Sequence, residues 1–588
     1  MLDTALKEAL QQIESTEFYT HSLFPLEQLV TIKKQAIADG NITVANYAQW
    51  EIEALRTHPC SMFFRGRNKR TTEFVDTWSR AQMDYYRQRF GECKQLQAKC
   101  IYGDILLDCQ GEGKISDKFQ VFIEQIPALI GLAKLALIQR EKSYICYINA
   151  ITGAVEWSLK FGHSKSLETC LCEIGEFLTN TGTMHGYRWI MENVKAILEV
   201  ANNARYKKLV DPIQRLVVDK VIAAKIFFQS TNNFLMLRQV LPLLRRVFVK
   251  FGADAETVRQ VELELGKSYE DQAELETSFI VKAGLYQDAV SHYTSIGASE
   301  KATELLIKMK KAYQEAISTE MKSISVPVEK PEAIDQLINE YREMSDITEM
   351  LNRVQSDPNL LIDFEKLQKD VEADSPNHVL QLLMSTEVVT DGRVVSRAQN
   401  PEENQALMVE RAFLFQLEYL SQIVLIEILR IMIDKGLSSE TLLQQYREWD
   451  FWDEKREVFL ANGFDKLIRG DYISALHILV PHFEACFREM FAAVGVSTIV
   501  LSNGIHQEQV FSEFLKRNEV KAAIPSQVLR YIEFVMVNQN GWNMRNDIAH
   551  GLVSRDHFSQ AKAAVVLHLY LLLFSFQRKV TGESESQQ

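Results

Sequence analysis

The stretch VIAAKIFF (Val221 to Phe228), resumed past Phe234 as VLPLLRRVFVKF (Val240 to Phe251), places apolar residues three and four apart, the period of an amphipathic helix. The same spacing recurs through most of the 588 residues, so the chain reads as predominantly all-α. Only 25 Gly and 12 Pro interrupt it. Connections should therefore be short, and short connections join helices as antiparallel hairpins. A solenoid-like N-terminal region is one arrangement that meets this expectation.

Working outward, AGLYQDAVSHYTSIGASEKATELLIKMKKAYQEA (Ala283 to Ala316) sets small residues and tyrosines at helical spacing. It resembles tetratricopeptide packing, in which Ala289 would allow close approach and Tyr286 and Tyr293 would fill the groove. At SISVPVEKPEA (Ser323 to Ala333), Pro327 and Pro331 bracket a stretch that cannot continue a helix. We place a boundary there and read 1–322 as an N-terminal helical region, 323–458 as a linker and middle helical region, and 459–588 as a C-terminal helical domain. Within the middle region EVVTDGRVV (Glu387 to Val395) sets Asp391 and Gly392 between β-favouring runs, which predicts a small hairpin insertion. The apolar run Phe413 to Ile433 contains Glu418 and Glu427 and is read as buried core rather than a membrane span.

With 46% hydrophobic and 24% charged residues, the composition is that of an ordinary globular protein. The first residues lack a basic segment followed by an apolar one, so no secretory signal is read, and a cytoplasmic location with no membrane contact is expected. Eight scattered cysteines do not form a disulfide framework. Cys170 and Cys172, with His163 upstream, have a spacing that matches no zinc pattern, and no metal or other cofactor is expected. A net charge of −13 excludes a protein that coats nucleic acid along its whole length, since such binding rests on neutralising phosphates. From Leu460 to Lys579 there are 12 Lys and Arg against 10 Asp and Glu, so an RNA-facing surface is expected near the C-terminus.

Two segments carry the chemistry. In FDKLIRGDYISALHILVPHFEACFREM (Phe464 to Met490), Asp471 should cap a helix, and its apolar stripe should run through Ile473, Leu476, Leu479 or Val480, Phe483 and Phe487. Pro481 should bend that helix, and Glu484 and Arg488, four apart, form a same-face pair. In GWNMRNDIAHGLVSRDHFSQAKAAVVLHLYLLLF (Gly541 to Phe574), Asn546 and His550 share a helix face, with Arg545 long enough to reach around it. Gly551 should end that turn, and Ser554 is expected to cap the final helix.

The segment RNDIAHG (Arg545 to Gly551) resembles the HEPN superfamily, in which an Arg is followed after four to six residues by His, commonly with a polar residue next to the Arg. Together with GDYISALHILVPHFEACFR upstream, it is similar to a bacterial family carrying that module at its C-terminus. The resemblance covers about the last 130 residues. It implies a helical bundle that pairs about a two-fold axis, with Arg545, Asn546 and His550 of both copies in one cleft, and metal-independent cleavage of RNA. His550 would move the proton of the ribose 2′-hydroxyl or the leaving 5′-oxygen, Arg545 would hold the phosphate, and Asn546 would orient either. Glu484, Arg488 and Asp547 are supporting candidates. The implied setting is bacterial defence or a toxin-like system, with the N-terminal helices receiving a protein trigger or regulator. The alternative is a module that only dimerises within an interaction protein. Nucleotide binding without cleavage lacks a Gly-rich phosphate loop to support it.

Overall fold

The computed structural model describes residues 3–18, 24–56, 78–109, 114–138, 143–181, 186–322, 330–390, 392–502 and 504–578. They are helical almost throughout, with two two-stranded antiparallel sheets. The chain divides into two compact units, Met1–Ala312 and Tyr313–Gln588. The segments read separately as 323–458 and 459–588 contribute to one hydrophobic cluster, from Leu337 to Phe574.

In the first unit helices pack on their sequence neighbours. Gln214–Ser230 lies on Phe234–Lys250, that helix on Ala255–Leu275, and the last on Phe279–Ser295. The apolar period is what buries them: Val221, Ala224 and Phe228 face inward from one helix, and Val240, Leu241, Leu244 and Val247 from the next. Each such aliphatic or aromatic side chain contributes about 1.5–3 kcal/mol. Asn233 starts the second of these helices by accepting the N–H of Met236 at 3.2 Å.

The segment Ala283 to Ala316 spans parts of two helices, Phe279–Ser295 and Ser299–Thr319, turned at Gly297, whose φ of 71° suits glycine. Tyr286, Ala289 and Tyr293 are buried. The closest approach, however, is made by Gly266 on the preceding helix: a Cβ there would stand 2.4 Å from the Tyr293 ring. Tyr286 and Tyr293 then donate their hydroxyls to Glu274 and Glu270 at 2.8 and 2.5 Å.

Near the start of this unit a polar group is sealed into the core. Glu51, with no exposed surface, accepts the hydroxyls of Tyr85 and Tyr102, each at 2.6 Å, and Arg89 Nε at 2.8 Å. Every donor comes from a different turn or helix, so the cluster fixes how those helices register. Burial and the neighbouring carboxylate hold both phenols protonated.

In the second unit, Pro331 precedes the helix Glu332–Glu343, while Pro327 lies outside the described residues. The expected hairpin is present: Thr386–Thr390 pairs with Arg393–Ala398, and Gly392 has a φ of 75°. Asp391 lies outside the described residues. A second hairpin, Ile499–Ser502 with Ile505–Glu508, was not anticipated.

The long apolar run forms a helix from Pro401 to Tyr419, a π turn Leu420–Leu425, and a helix Ile426–Asp434. Pro401–Asp434 and Lys118–Ile138 are long and apolar enough to cross a membrane, and about half of each one's most apolar window is buried inside the fold. At the centre lies Gln560–Phe574, buried from Ala563 to Phe574 on every side. Helices Ile347–Ser356, Ile426–Asp434, Ser439–Arg447 and Tyr472–Ala493 surround it.

Two sequence expectations are corrected here. Ser559, not Ser554, caps Gln560–Phe574, by accepting the N–H of Lys562 at 3.3 Å. Ser554 instead begins the short turn Arg555–His557 and bonds His557 Nδ1. Ile473 is 46% exposed, so the apolar stripe of Tyr472–Ala493 begins at Leu476. That helix runs unbroken through Pro481.

His568 sits inside the central helix, 1% exposed, with Nδ1 3.3 Å from the Tyr531 hydroxyl. Burial lowers its pKa from 6.5 to about 4. The unfolded chain therefore takes up the proton first as pH falls. The stability held by the neutral ring is complete above about pH 6.5 and is lost progressively toward pH 4, roughly 3 kcal/mol in all. Urea midpoints of wild type and His568→Leu measured from pH 7.5 to 4 should diverge in this sense, the variant falling less steeply. Parallel curves would show that the ring is not held neutral.

Candidate functional site

The site is assembled from three pieces of the second unit: the helix Tyr472–Ala493, the loop after Ser526–Met536, and the short helix Met544–Ala549. Gly470, with a φ of 78°, turns the chain into the first of these. Asp471 caps it by accepting the N–H of Ser474 at 3.2 Å. The buried stripe of that helix fixes its rotation, which aims Glu484 and Arg488 toward the RNDIAHG segment.

Glu484 is the junction. Arg488 donates to its Oε1 from Nη2 at 2.7 Å and from Nε at 3.1 Å, while Arg545 donates to its Oε2 from Nε at 2.7 Å. Glu484 and Arg488 are only 13% and 11% exposed, Arg545 30%. Two positive groups on one shielded carboxylate leave it fully satisfied, which is the condition for keeping such a charge out of water. Arg488 also donates to the carbonyl of Gln509 at 2.6 Å and packs its guanidinium over Phe511 and Phe514.

The chain of bonds continues through the motif. Arg545 Nη1 donates to Asn546 Oδ1 at 3.1 Å, Asn546 Nδ2 to Asn543 Oδ1 at 2.7 Å, and Asn543 Nδ2 to Asp547 Oδ1 at 2.9 Å. Five of the six residues singled out from the sequence, Glu484, Arg488, Arg545, Asn546 and Asp547, are thus joined in one network. The amide of Asn546 faces Arg545 and Asn543.

His550 stands apart. Its backbone N–H bonds the carbonyl of Asn546 at 3.0 Å, holding it in the last turn, and Gly551, with a φ of 63°, ends the helix behind it. Its side chain is exposed. None of the hydrogen bonds among the described residues engages the imidazole.

Three residues of this site were not read from the sequence. Asn543 has a φ of 47°, a left-handed conformation that Asn tolerates better than most side chains, and from it reaches both Asn546 and Asp547. Glu410 accepts the side-chain amides of Asn538 and Asn540 at 3.2 and 2.6 Å, and Glu418 accepts Trp542 Nε1 at 2.6 Å. Both carboxylates belong to the Pro401–Tyr419 helix, so the middle segment braces the loop that leads into the motif. In the sequence Glu418 stands within the apolar run Phe413 to Ile433 and Glu410 just before it, with no pattern that names their partners.

Among the described residues no group of three or more His, Cys, Asp or Glu side chains is placed to hold a metal ion. Cys170 is buried while Cys172 is exposed, and His163 caps its helix by accepting the N–H of Ser166 on Nδ1 at 3.3 Å.

Compared with known protein families and with curated proteins, the chain has no match. A solved structure to which it is similar is a circular tandem repeat protein with novel repeat topology and enhanced subunit contact surfaces. The two are 10% identical over 96% of this chain and 97% of that one, at a TM-score of 0.18, a likeness too distant to bear on fold or function.

The network predicts an energetic coupling across it. Removing Glu484 leaves Arg545 without its carboxylate and Arg488 with only the exposed Glu508 at 3.6 Å, so Glu484→Ala should cost about 2–3 kcal/mol. Arg545→Ala, which leaves Glu484 paired to Arg488, should cost less. A double-mutant cycle on the two should give a coupling of at least about 1 kcal/mol by urea denaturation. Additive losses would show that the bond is not made in solution.

Proposed function

We propose that the second unit cleaves RNA at Arg545 and His550 by metal-independent transesterification. The observation that carries this reading is the contrast within one helical turn: Arg545 is held by Glu484 and Asn546, while the His550 imidazole is exposed and unengaged. A fixed cation beside a free acid–base group is what the reaction requires. The RNDIAHG motif and its resemblance to the HEPN superfamily supply the substrate class.

The ribose 2′-oxygen attacks the adjacent phosphorus and its proton passes to a neutral imidazole. The bond from phosphorus to the 5′-oxygen breaks, and that oxygen takes a proton from an imidazolium. The products are a 2′,3′-cyclic phosphate and a free 5′-hydroxyl. One His550 acts as base and His550 of the partner subunit as acid in a two-fold dimer. Arg545, with Nε committed to Glu484, presents its remaining N–H groups to the phosphate oxygens. DNA lacks the attacking hydroxyl and is not cut.

Pairing of two copies is supported by the hairpin Ile499–Glu508, which adjoins Arg488 through Gln509. Ile499, Leu501 and Ile505 are 50%, 67% and 67% exposed. An apolar two-stranded edge is a surface that a second copy can cover about a two-fold axis. The first unit would then receive the trigger that releases activity, as expected of a defence or toxin-like effector.

A second reading has its own support. The side chain of Asn546 is fully engaged inside the protein and Arg545 is tied to Glu484, an arrangement that also serves simply to clasp two helices. In that case the module dimerises without catalysis.

The test is incubation of wild type and His550→Ala with total RNA in EDTA, with analysis of fragment ends. Cyclic phosphates from wild type alone, with equal melting temperatures for both proteins, establish the ribonuclease. If a total lysate from infected or stressed cells, added as a source of trigger, still leaves RNA uncut by the wild type, the clasp reading stands. Separately, Leu501→Lys with Ile505→Lys should convert a dimer to a monomer by light scattering; an unchanged mass would remove the hairpin from the interface.

A further inference from the structure

Between Arg205 and Lys250 the sequence holds ten Lys and Arg against two Asp, an excess of +8 within a chain of net charge −13. The fold treats these cations in two ways. Some are committed to partners within the fold: Lys225 to Glu264, Lys220 to the carbonyl of Thr181 and Arg238 to Gln272, while Arg215 stands exposed 3.9 Å from Asp219. Three of the others meet in one place.

That place is a groove of ≈ 510 Å³ between the ends of helices Tyr187–Asn202 and Phe234–Lys250, lined by Leu198, Asn202, Arg245, Arg246, Val249 and Lys250. Among the described residues no carboxylate lines it. Arg245 is paired with Glu262, but Arg246 and Lys250 are exposed and have no ion-pair partner among the described residues. Just beyond Asn202 in sequence come Arg205, Lys207 and Lys208, also exposed and without an ion pair among the described residues, with Arg205 over the Tyr206 ring at 5.3 Å.

We infer that this groove binds the phosphodiester backbone of a nucleic acid. A helix C-terminus favours a basic residue in its last turn, which accounts for Lys250 but not for Arg246 or for the three cations of the neighbouring connection. Like charges left unpaired at one edge repel one another, and a polyanion relieves that repulsion along its length. Arg, Lys and Asn are the side chains that hold phosphates without reading sequence. This inference concerns the first unit alone and does not rest on cleavage by the second.

The experiment is fluorescence anisotropy of a labelled 2′-O-methyl oligoribonucleotide with the full chain at rising salt. The probe cannot be cut through a 2′-hydroxyl, so cleavage does not alter the anisotropy, and the groove's share of binding is read from the variants. Arg246→Glu with Lys250→Glu should weaken binding at least about tenfold and reduce the slope of log affinity against log salt by about 2. Lys366→Glu with Lys369→Glu, the same charge change on the second unit, should leave it unaltered. Thermal melting of each variant confirms that the fold is kept. The inference is overturned if the wild type does not bind, if both double variants weaken binding equally, or if anionic phospholipid vesicles are bound and the oligonucleotide is not.

Discussion

Glu484 gives one carboxylate oxygen to Arg488 and the other to Arg545, and the local structure of the second unit depends on that division. The first bond is set by helix geometry, because residues four apart share a face. The second reaches across 61 residues of sequence and ties the start of the RNDIAHG helix to the helix before it. A helix as short as Met544–Ala549 gains little from its own hydrogen bonds, so its position must come from such outside contacts. Arg545 supplies one, Asn543 and Asn546 extend it inward, and the carboxylates of Glu410 and Glu418 secure the loop from the other side.

The same contacts explain why the run Pro401–Asp434, apolar enough to cross a membrane by composition, carries acids at those two positions. Both are donor-satisfied braces. Placed elsewhere on the apolar face they would cost the desolvation of a charge without recovering it. The π turn Leu420–Leu425 follows directly after the second acid. Such a turn adds a residue to one helical turn and so shifts the apolar face that follows it, and Val424, Leu425, Ile428 and Leu429 are buried in the core.

What was legible in the sequence is local. Apolar period gave the helices, Asp471 its cap, Glu484 and Arg488 their pairing, and Asp391-Gly392 the first hairpin. Asn503-Gly504 carries an equal signal for the second hairpin, although the flanking residues IVLS and IHQE do not alternate apolar and polar. Ser554 and Ser559 are chemically equivalent caps, and each starts a helical turn, Ser554 the short Arg555–His557 and Ser559 the central helix. Partner choice over long range, as for Glu410, Glu418 and Asn543, leaves no periodic trace. The basic stretch from Arg205 to Lys250 was visible as composition, but its division into committed and free cations appears only once the helices are placed.

The arrangement also separates what is rigid from what can turn. Arg545 and Asn546 each make side-chain bonds that would have to break before they moved, whereas His550 is fixed only through its backbone. A group that must accept a proton at one stage and deliver one at another benefits from rotational freedom, while a group that holds a phosphate benefits from having none. A purely structural clasp has no use for this difference, since an exposed imidazole outside the network adds nothing to its stability. The histidine outside the network, at the other end of the short helix from a fixed arginine, is therefore the feature on which the proposed chemistry rests.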